Sequence, residues 1–115
     1  MKFYFYPNCS TCKKAKTFLE TNHVSHEAIN IAENPPTIKE LELMLEGVGN
    51  IRKLFNTSGQ VYRQLNLKDK LPTLSNGEAI AMLADNGMLI KRPFLLGNDV
   101  ALVGYKEEVW REHLK

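Results

Sequence analysis

Apolar residues over the first third of the chain are spaced like a strand, then a helix, then a second strand. The aromatic run Lys2–Tyr6 predicts a short strand that ends at the turn residues Pro7-Asn8. Val24–Ile31 alternates loosely and predicts a second strand. From Ser10 onward the apolar positions recur at helical spacing, and those on the inward face are Cys12, Ala15 and Leu19, flanked by Phe18. The chain is therefore expected to begin β-α-β.

The middle of the chain predicts several helices separated by turns. Two helix starts carry a capping box, in which a hydroxyl residue and a glutamate three positions later bond each other's backbone N–H groups. One box pairs Thr37 with Glu40, and the other pairs Ser75 with Glu78. We expect Gly87 to follow the second of these helices as its C′ residue. On the first helix, the predicted inward residues are Ile38, Leu41, Leu45 and Val48.

The last part of the chain predicts a hairpin and a closing helix. The apolar runs Phe94–Leu96 and Val100–Val103 are separated by three turn residues, which is hairpin spacing. A helix over Tyr105–Leu114 is expected to bury Val109, with Trp110 alongside it. The order β-α-β, several helices, β-β and α predicts an α/β fold with a thioredoxin-like (glutaredoxin-like) mixed sheet and an inserted helical subdomain.

Length and charge limit the class of protein. The 115 residues, 43% hydrophobic and 24% charged, suit one globular domain, expected over residues 1–115. Its thioredoxin-like parts are expected at about residues 1–36 and 88–115, and the helical insertion at about 37–87. The net charge is +2, and Lys and Arg are interspersed with acids rather than gathered in a basic tract. The sequence therefore gives no reason to expect direct contact with nucleic acid.

The expected location is cytoplasmic. No stretch approaches the roughly 18 to 20 apolar residues that a membrane-spanning helix needs, so no membrane partner is expected. The apolar run at the start of the chain is too short and too rich in aromatic residues to resemble a signal peptide. Because cytoplasmic thiols are kept reduced, a close cysteine pair there is more often catalytic or metal-binding than structural.

Cys9 and Cys12, the two cysteines of the chain, form a C-x-x-C pair at the predicted strand-to-helix junction. A sulfur at a helix start meets unpaired N–H groups and the positive end of the helix dipole, which favour a thiolate. Lys13 and Lys14 add positive charge in the first turn. We therefore expect Cys9 to attack and Cys12 to resolve the mixed disulfide, which leaves a redox-active disulfide between the two.

Two other interpretations of the pair are an inert buried pair and a zinc site. A C-x-x-C beside a β-α-β pattern is more typical of a redox motif than of inert cysteines. His23 and His26 follow the pair, but zinc sites normally place roughly three to five residues between their histidines. A helix from the cysteines would also carry the chain about 15 Å away over ten residues. We therefore expect no metal site, with His23 in a turn and His26 exposed on a strand.

Four segments of the chain resemble the ArsC/Spx family in the order in which they occur. They are the run Tyr4–Ala15 with its C-x-x-C, the helix start Pro35-Pro36-Thr37, the segment Leu54–Tyr62 with Asn56-Thr57-Ser58-Gly59, and Ile90–Pro93. The resemblance spans essentially all 115 residues. It implies a thioredoxin-like fold with a helical insertion, a reactive cysteine first in the motif, and an Arg-Pro pair at the start of the third strand.

The resemblance also assigns the substrate site. Arg92 matches the family arginine near the reactive sulfur, and Pro93 matches its cis-proline. A guanidinium beside Cys9 would stabilise a thiolate and could bind an oxyanion through two hydrogen bonds. The implied catalytic residues are Cys9, Cys12 and Arg92, and the implied substrate-binding residues are Thr11, Lys13, Arg92 and Pro93.

Two functions follow from the resemblance. Glutathione-dependent arsenate reductases of the family use a single cysteine and further arginines. The positions that match those arginines lie near Asn56 and near Val100 or Ala101, and none of these residues is basic. Arg52 and Arg63 are the nearest arginines that could substitute. Spx-like regulators carry the C-x-x-C but usually continue beyond the final helix, whereas this sequence ends at Lys115. We therefore expect a thiol–disulfide oxidoreductase, with an Spx-like redox-sensing transcriptional regulator as the alternative.

The expected reaction partners follow from that choice. Electrons would come from a thiol reductant of the glutathione, bacillithiol or thioredoxin type, so no bound cofactor is expected. The substrate would be a thiol, a disulfide or a small oxyanion. The alternative function implies the α subunit of RNA polymerase as a partner. The protein is expected to be a monomer.

Overall fold

The computed structural model describes residues 1–114, which form one four-stranded sheet with helices on both faces. Lys115, the last residue of the expected domain, lies outside the described residues. The strands are β1 (Lys2–Phe5), β2 (Glu27–Asn30), β3 (Phe94–Leu96) and β4 (Ala101–Val103). They lie in the order β2-β1-β3-β4, with β1 and β2 parallel and the other pairs antiparallel. The mixed sheet confirms the predicted α/β, thioredoxin-like fold.

Six helices occur among the described residues. They are α1 (Ser10–Thr21), α2 (Ile38–Val48), α3 (Gln60–Gln64), α4 (Leu67–Lys70), α5 (Asn76–Asp85) and α6 (Glu107–Leu114). Short 3₁₀ turns lie at Ile51–Leu54, Leu71–Thr73 and Gly87–Leu89. Helices α2 to α5 fall between β2 and β3 in the chain, where the insertion was expected. None of the helices described is long and apolar enough to span a bilayer.

Strand β1 lies inside the sheet, and its residues alternate between two cores. Phe3 faces the layer formed by α1 and α6, where its ring meets the Trp110 ring edge-on at 6.5 Å between centroids. Tyr4 faces the inserted helices and meets Phe94 edge-on at 5.5 Å. This division arises because successive strand residues point to opposite faces of a sheet.

The local patterns at three helices are confirmed. The three predicted inward residues of α1 are buried, and so is Phe18 beside them. In α2, the Glu40 N–H donates to Thr37 Oγ1 at 3.1 Å and Glu40 Oε1 accepts from the Thr37 N–H at 2.9 Å. The same two bonds join Ser75 and Glu78 at the start of α5, at 3.1 and 2.9 Å. Both capping boxes are therefore formed.

Two predicted core residues are wrong. Ile38 is 52% exposed, because it lies in the first turn of α2 and the face that packs on the sheet begins one turn later, at Leu41. Val109 is 36% exposed, because the neighbouring Trp110 occupies the inward position of α6 and is buried. Adjacent helix residues differ by about 100° in direction, so only one of the two can face the core.

Two boundaries also differ from the predicted ones. Helix α5 is capped by Asn86, and Gly87 instead begins the following 3₁₀ turn. A Cβ at position 87 would overlap the backbone carbonyl of Ile31, so glycine is needed there for close packing and not for a left-handed conformation. Strand β2 is shorter than predicted, because in the parallel register Glu27 lies opposite Lys2, where β1 begins.

Candidate active site

Cys9 caps the N-terminus of α1. Its backbone is extended, with φ of −95° and ψ of 110°, and its N–H donates to the Tyr6 carbonyl at 3.0 Å across the turn that follows β1. The Cys9 Sγ accepts a hydrogen bond from the Cys12 N–H at 3.2 Å. The sulfur thus occupies the place that a serine or aspartate oxygen usually takes at a helix cap. It is partly exposed, so a reactant can reach it.

Cys12 lies one turn into α1 and is 2% exposed. Burial, followed by the hydrogen bond with Cys9, raises the pKa of the Cys12 thiol to about 12, although the Tyr6 backbone and Arg92 act in the opposite direction. Cys12 is therefore a protonated thiol at neutral pH. Both sulfurs are free thiols in this structure. An accessible sulfur with a buried, protonated one behind it is the arrangement that an ordered two-step exchange needs.

Arg92 and Pro93 lie directly before β3, and the peptide bond between them is cis, as the family resemblance implied. The Arg92 guanidinium lies over the Tyr6 ring, with its Cζ 5.2 Å from the ring centroid. Its Nη1 donates to the Met88 carbonyl at 3.3 Å. These two contacts hold a positive charge at the cavity that Cys9 also lines.

A cavity of about 1120 Å³ opens beside Cys9. Of the predicted site residues, Thr11 and Arg92 line it with Cys9. Pro93 is buried and Lys13 is exposed on α1, and neither lines the cavity. The structure thus brings three of the predicted residues to one opening and leaves Lys13 outside it. The roles of all these residues remain predictions.

Much of the cavity wall comes from segments that the sequence pattern indicated only as turns or strands. Asn56, Thr57 and Ser58 form one part of it, and the Asn56 N–H donates to the Leu89 carbonyl at 2.7 Å, which holds this loop in place. Strand β4 and the following segment form another part. Asn56-Thr57-Ser58-Gly59 was recognisable as a family segment, but its place in the wall follows only from the fold.

The cavity wall is positively charged. No Asp or Glu among residues 1–114 lines it. The cationic residues that line it are Arg52, Lys53, Lys68, Lys91, Arg92 and Lys106. The ion pairs formed within that part of the chain are elsewhere, between Lys2 and Glu40 and between Arg111 and Glu107. Since the net charge of the chain is only +2, the fold has gathered cations on this face and left the acids on others.

His23 and His26 do not join the cysteines. The prediction that His26 is exposed on a strand is wrong, because His26 is half-buried and precedes β2. Its ring packs edge-on against Phe3 at 5.7 Å between centroids, and its Nδ1 lies 2.8 Å from the Val24 carbonyl oxygen. His23 is exposed in the turn after α1, as predicted. Within the described residues, no three His, Cys, Asp or Glu side chains lie close enough together to hold a metal ion.

Comparison with known proteins identifies the family. Residues 4–113 match the model of the ArsC family. The chain is 46% identical over 114 residues to the uncharacterized protein YusI of Bacillus subtilis, covering 98% of this chain and 97% of that protein. It is 30% identical over 112 residues to the global transcriptional regulator Spx 1 of Bacillus cereus, covering 96% and 84%.

A solved structure from Streptococcus mutans, described as a possible arsenate reductase, superposes with a TM-score of 0.87. It is 46% identical and the match covers 96% of each chain. The chain therefore belongs to the ArsC family. Its relatives include a transcriptional regulator as well as proteins described as reductases, so membership alone does not decide between the two functions.

Proposed function

We propose that this ArsC-family protein is a thiol–disulfide oxidoreductase in which Cys9 attacks and Cys12 resolves. The observation that carries the proposal is the pairing of an accessible sulfur at a helix cap with a buried thiol one turn later. The hydrogen bond from the Cys12 N–H to Cys9 Sγ strengthens when that sulfur becomes negative. The site therefore keeps the inner thiol protonated and places a backbone hydrogen-bond donor beside the outer sulfur.

The proposed reaction has two steps. The Cys9 thiolate attacks one sulfur of a substrate disulfide, forms a mixed disulfide with it, and releases the other sulfur as a thiolate that takes up a proton. Cys12 then loses its proton and attacks Cys9 Sγ, which forms the intramolecular disulfide and releases the second substrate thiol. Two electrons pass from the cysteine pair to the substrate. A thiol reductant then returns the pair to the dithiol form.

Arg92 is the proposed third catalytic residue. Its guanidinium lines the same cavity as Cys9 and would stabilise negative charge on the attacking and leaving sulfurs. Thr11 would contact the substrate at the same opening, and the buried Pro93 would fix the backbone that carries Arg92. Lys13, which lies outside the cavity, would act only through its charge near the helix start. We expect the protein to work in the cytoplasm, where reducing thiols are abundant.

Arsenate reduction is a narrower form of this proposal. It is supported by the similarity to the Streptococcus mutans protein and by Arg52, which lines the cavity together with Arg92. Two guanidinium groups suit a small oxyanion. Arg63, the other candidate named from the sequence, does not line the cavity. Adding arsenate to a coupled thiol-oxidation assay tests this form, and a rate that does not change with arsenate would exclude it.

The order of attack is tested by trapping. A Cys12→Ser variant should accumulate a mixed disulfide at Cys9, because no second thiol is present to release the substrate. A Cys9→Ser variant is the matched control and should trap much less, since its remaining sulfur is buried. Mass spectrometry of protein treated with glutathione disulfide measures both adducts. Equal yields from the two variants would refute the assigned order.

The second candidate function is an Spx-like redox-sensing regulator that binds the α subunit of RNA polymerase. The identity with Spx 1 and the C-x-x-C pair favour it. It predicts a stable complex between the purified chain and purified α subunit, sensitive to oxidation of Cys9 and Cys12, with little turnover. The oxidoreductase predicts repeated turnover without that complex. Calorimetric titration with the α subunit and a turnover assay therefore separate the two.

A further inference from the structure

Strand β4 leaves one side of its backbone without a strand partner. Within the part of the chain that the structure describes, it lies at the edge of the sheet and pairs only with β3. Gly104 N–H donates to the Pro93 carbonyl at 2.8 Å, and Gly97 N–H donates to the Val100 carbonyl at 2.9 Å. In an antiparallel pair the inward hydrogen bonds recur at every second residue.

The outward backbone groups of β4 therefore belong to Ala101 and Val103. Within residues 1–114, neither residue takes part in any hydrogen bond formed outside the β3–β4 ladder. Both line the cavity beside Cys9, and their side chains pack towards the core under the inserted helices. Ala101 is held there by Gly47 of α2, where an added Cβ would lie 2.6 Å from the Ala101 Cβ. The cavity thus contains an exposed sheet edge that is fixed in place.

The remaining wall of the cavity combines positive charge with apolar contact. The six cationic residues described above line the same cavity as the edge, and Val48, Tyr105 and the exposed Val109 contribute apolar surface. The volume of about 1120 Å³ exceeds the roughly 300 to 1,000 Å³ typical of small-molecule sites. An oxyanion or a small thiol would occupy only one end of such a cavity. It would form no hydrogen bonds with the outward N–H and C=O groups of β4.

We propose that the substrate of the cysteine pair is a polypeptide, and that an extended acidic segment of it adds to the free edge of β4 and places its disulfide at Cys9. The inference rests on the proposed function and names the substrate class. Main-chain pairing supplies affinity without requiring a particular sequence, and alternate side chains supply specificity. The six cations of the cavity wall select glutamate and aspartate in the segment. Electrons pass from Cys9 and Cys12 to the disulfide of the segment, as in the two steps given above.

Peptide binding tests the docking mode without chemistry. The protein would carry Cys9→Ser and Cys12→Ser, and the probe would be the capped peptide Glu-Val-Glu-Val-Ser-Val-Glu-Val-Glu, whose serine replaces the cysteine. Two further forms would be N-methylated at alternate residues, one set at the odd positions and one at the even positions. Only one set of N–H groups can face β4, so one form should lose at least about fivefold in affinity by calorimetry while the other binds like the parent. Equal binding of the two forms overturns the edge pairing.

Charge reversal tests the acidic preference. Lys53→Glu and Lys106→Glu in the cavity wall should each weaken binding of the acidic peptide by about threefold or more at low ionic strength. Lys16→Glu is the matched control, because Lys16 is exposed on α1 and lies outside the cavity. A peptide with glutamine for glutamate should bind more weakly than the parent. Equal effects of all three substitutions would overturn the assignment of an acidic segment.

Reaction of the wild-type pair with glutathione disulfide separates this inference from the proposed function. Exchange with glutathione disulfide together with no binding of any peptide overturns the polypeptide substrate alone and indicates a small disulfide. Register-dependent peptide binding with no exchange, either with glutathione disulfide or with the cysteine form of the peptide carried as its mixed disulfide with glutathione, overturns the oxidoreductase, and with it the substrate assignment.

Discussion

The Arg92 guanidinium stacks on the Tyr6 ring at 5.2 Å, and the Tyr6 carbonyl accepts the Cys9 N–H at 3.0 Å. Tyr6, the residue directly after β1, therefore contacts both the cationic group and the capping cysteine of the candidate site. The aromatic ring attracts the guanidinium electrostatically and limits its rotation. Tyr6 is thus a positioning residue in the proposed reaction.

Replacement of Tyr6 should slow the reaction of the exposed sulfur. Tyr6→Leu removes the ring under Arg92, and since such contacts contribute about 0.5–1 kcal/mol at partly exposed sites, the alkylation rate of Cys9 at pH 7 should fall about two- to fivefold. Tyr6→Phe keeps the ring and should react at nearly the wild-type rate. Iodoacetamide kinetics in a Cys12→Ser background measure the effect. Equal rates for the leucine and phenylalanine variants would show that the stacking has no role.

Resolution of the mixed disulfide should depend steeply on pH. Cys12 attacks as a thiolate, and its pKa, raised mainly by burial to about 12, keeps it protonated at neutral pH. The thiolate fraction below that pKa rises about tenfold per pH unit, so release of a thiol from Cys9 should accelerate between about pH 7 and pH 9. Stopped-flow release of a chromophoric thiol measures this step. A release rate that stays flat across this range would contradict a buried, protonated resolving thiol.

Glu40 should make stability depend on acid pH. Burial opposes its ionisation, but hydrogen bonds from the Thr37 N–H, Lys2 and the Tyr4 hydroxyl outweigh burial and hold the pKa of Glu40 below its usual range. A lowered pKa in the folded state stabilises the protein above the unfolded value of about 4.3, and the contribution is lost as pH falls through the folded pKa.

Glu40→Gln should therefore lower the free energy of unfolding at pH 7 by about 1–2 kcal/mol and by less at acid pH. Glu42→Gln is the control, because Glu42 is exposed on the same helix. Urea denaturation at neutral and at acid pH measures both. A loss for Glu40→Gln that is the same at both pH values would refute the linkage.

Trp110 and Val109 should differ sharply in their contribution to stability. Trp110 is 1% exposed, and its Nε1 donates to the Gly104 carbonyl at 3.1 Å. Trp110→Ala should cost about 3–5 kcal/mol through the cavity that it leaves. Val109→Ala should change the free energy of unfolding by less than about 1 kcal/mol, since Val109 is partly exposed. Denaturant titration of both variants checks which face of α6 packs on the core. A larger loss of unfolding free energy for Val109→Ala than for Trp110→Ala would contradict the observed orientation.

Patterns within a few residues predicted much of the local structure. Cys12 on the inward face of α1 and Thr37 at the start of α2 were accessible to sequence reasoning because helical spacing and capping depend on near neighbours. The exposure of Val109 was not accessible, because both Val109 and Trp110 are apolar and only packing against the sheet decides between them. The cis bond at Pro93 came from family resemblance alone.

The charged cavity could not be predicted from the chain. Lys53, Lys68 and Lys106 come from separate segments, and Lys68 and Lys106 each precede an acidic residue in the sequence. Only the fold brings them to one face. The free backbone groups of Ala101 likewise depend on the pairing register of β3 and β4, which the hairpin spacing limits but does not determine.

The close approach of Gly87 to Ile31 constrains chimeric proteins of this family. The inserted helices return to the sheet at this point, where two backbone segments are separated by less than the width of a methyl group. A chimera that takes the insertion from a relative must therefore keep glycine at the position of Gly87. A side chain there would prevent the new helices from packing against the sheet.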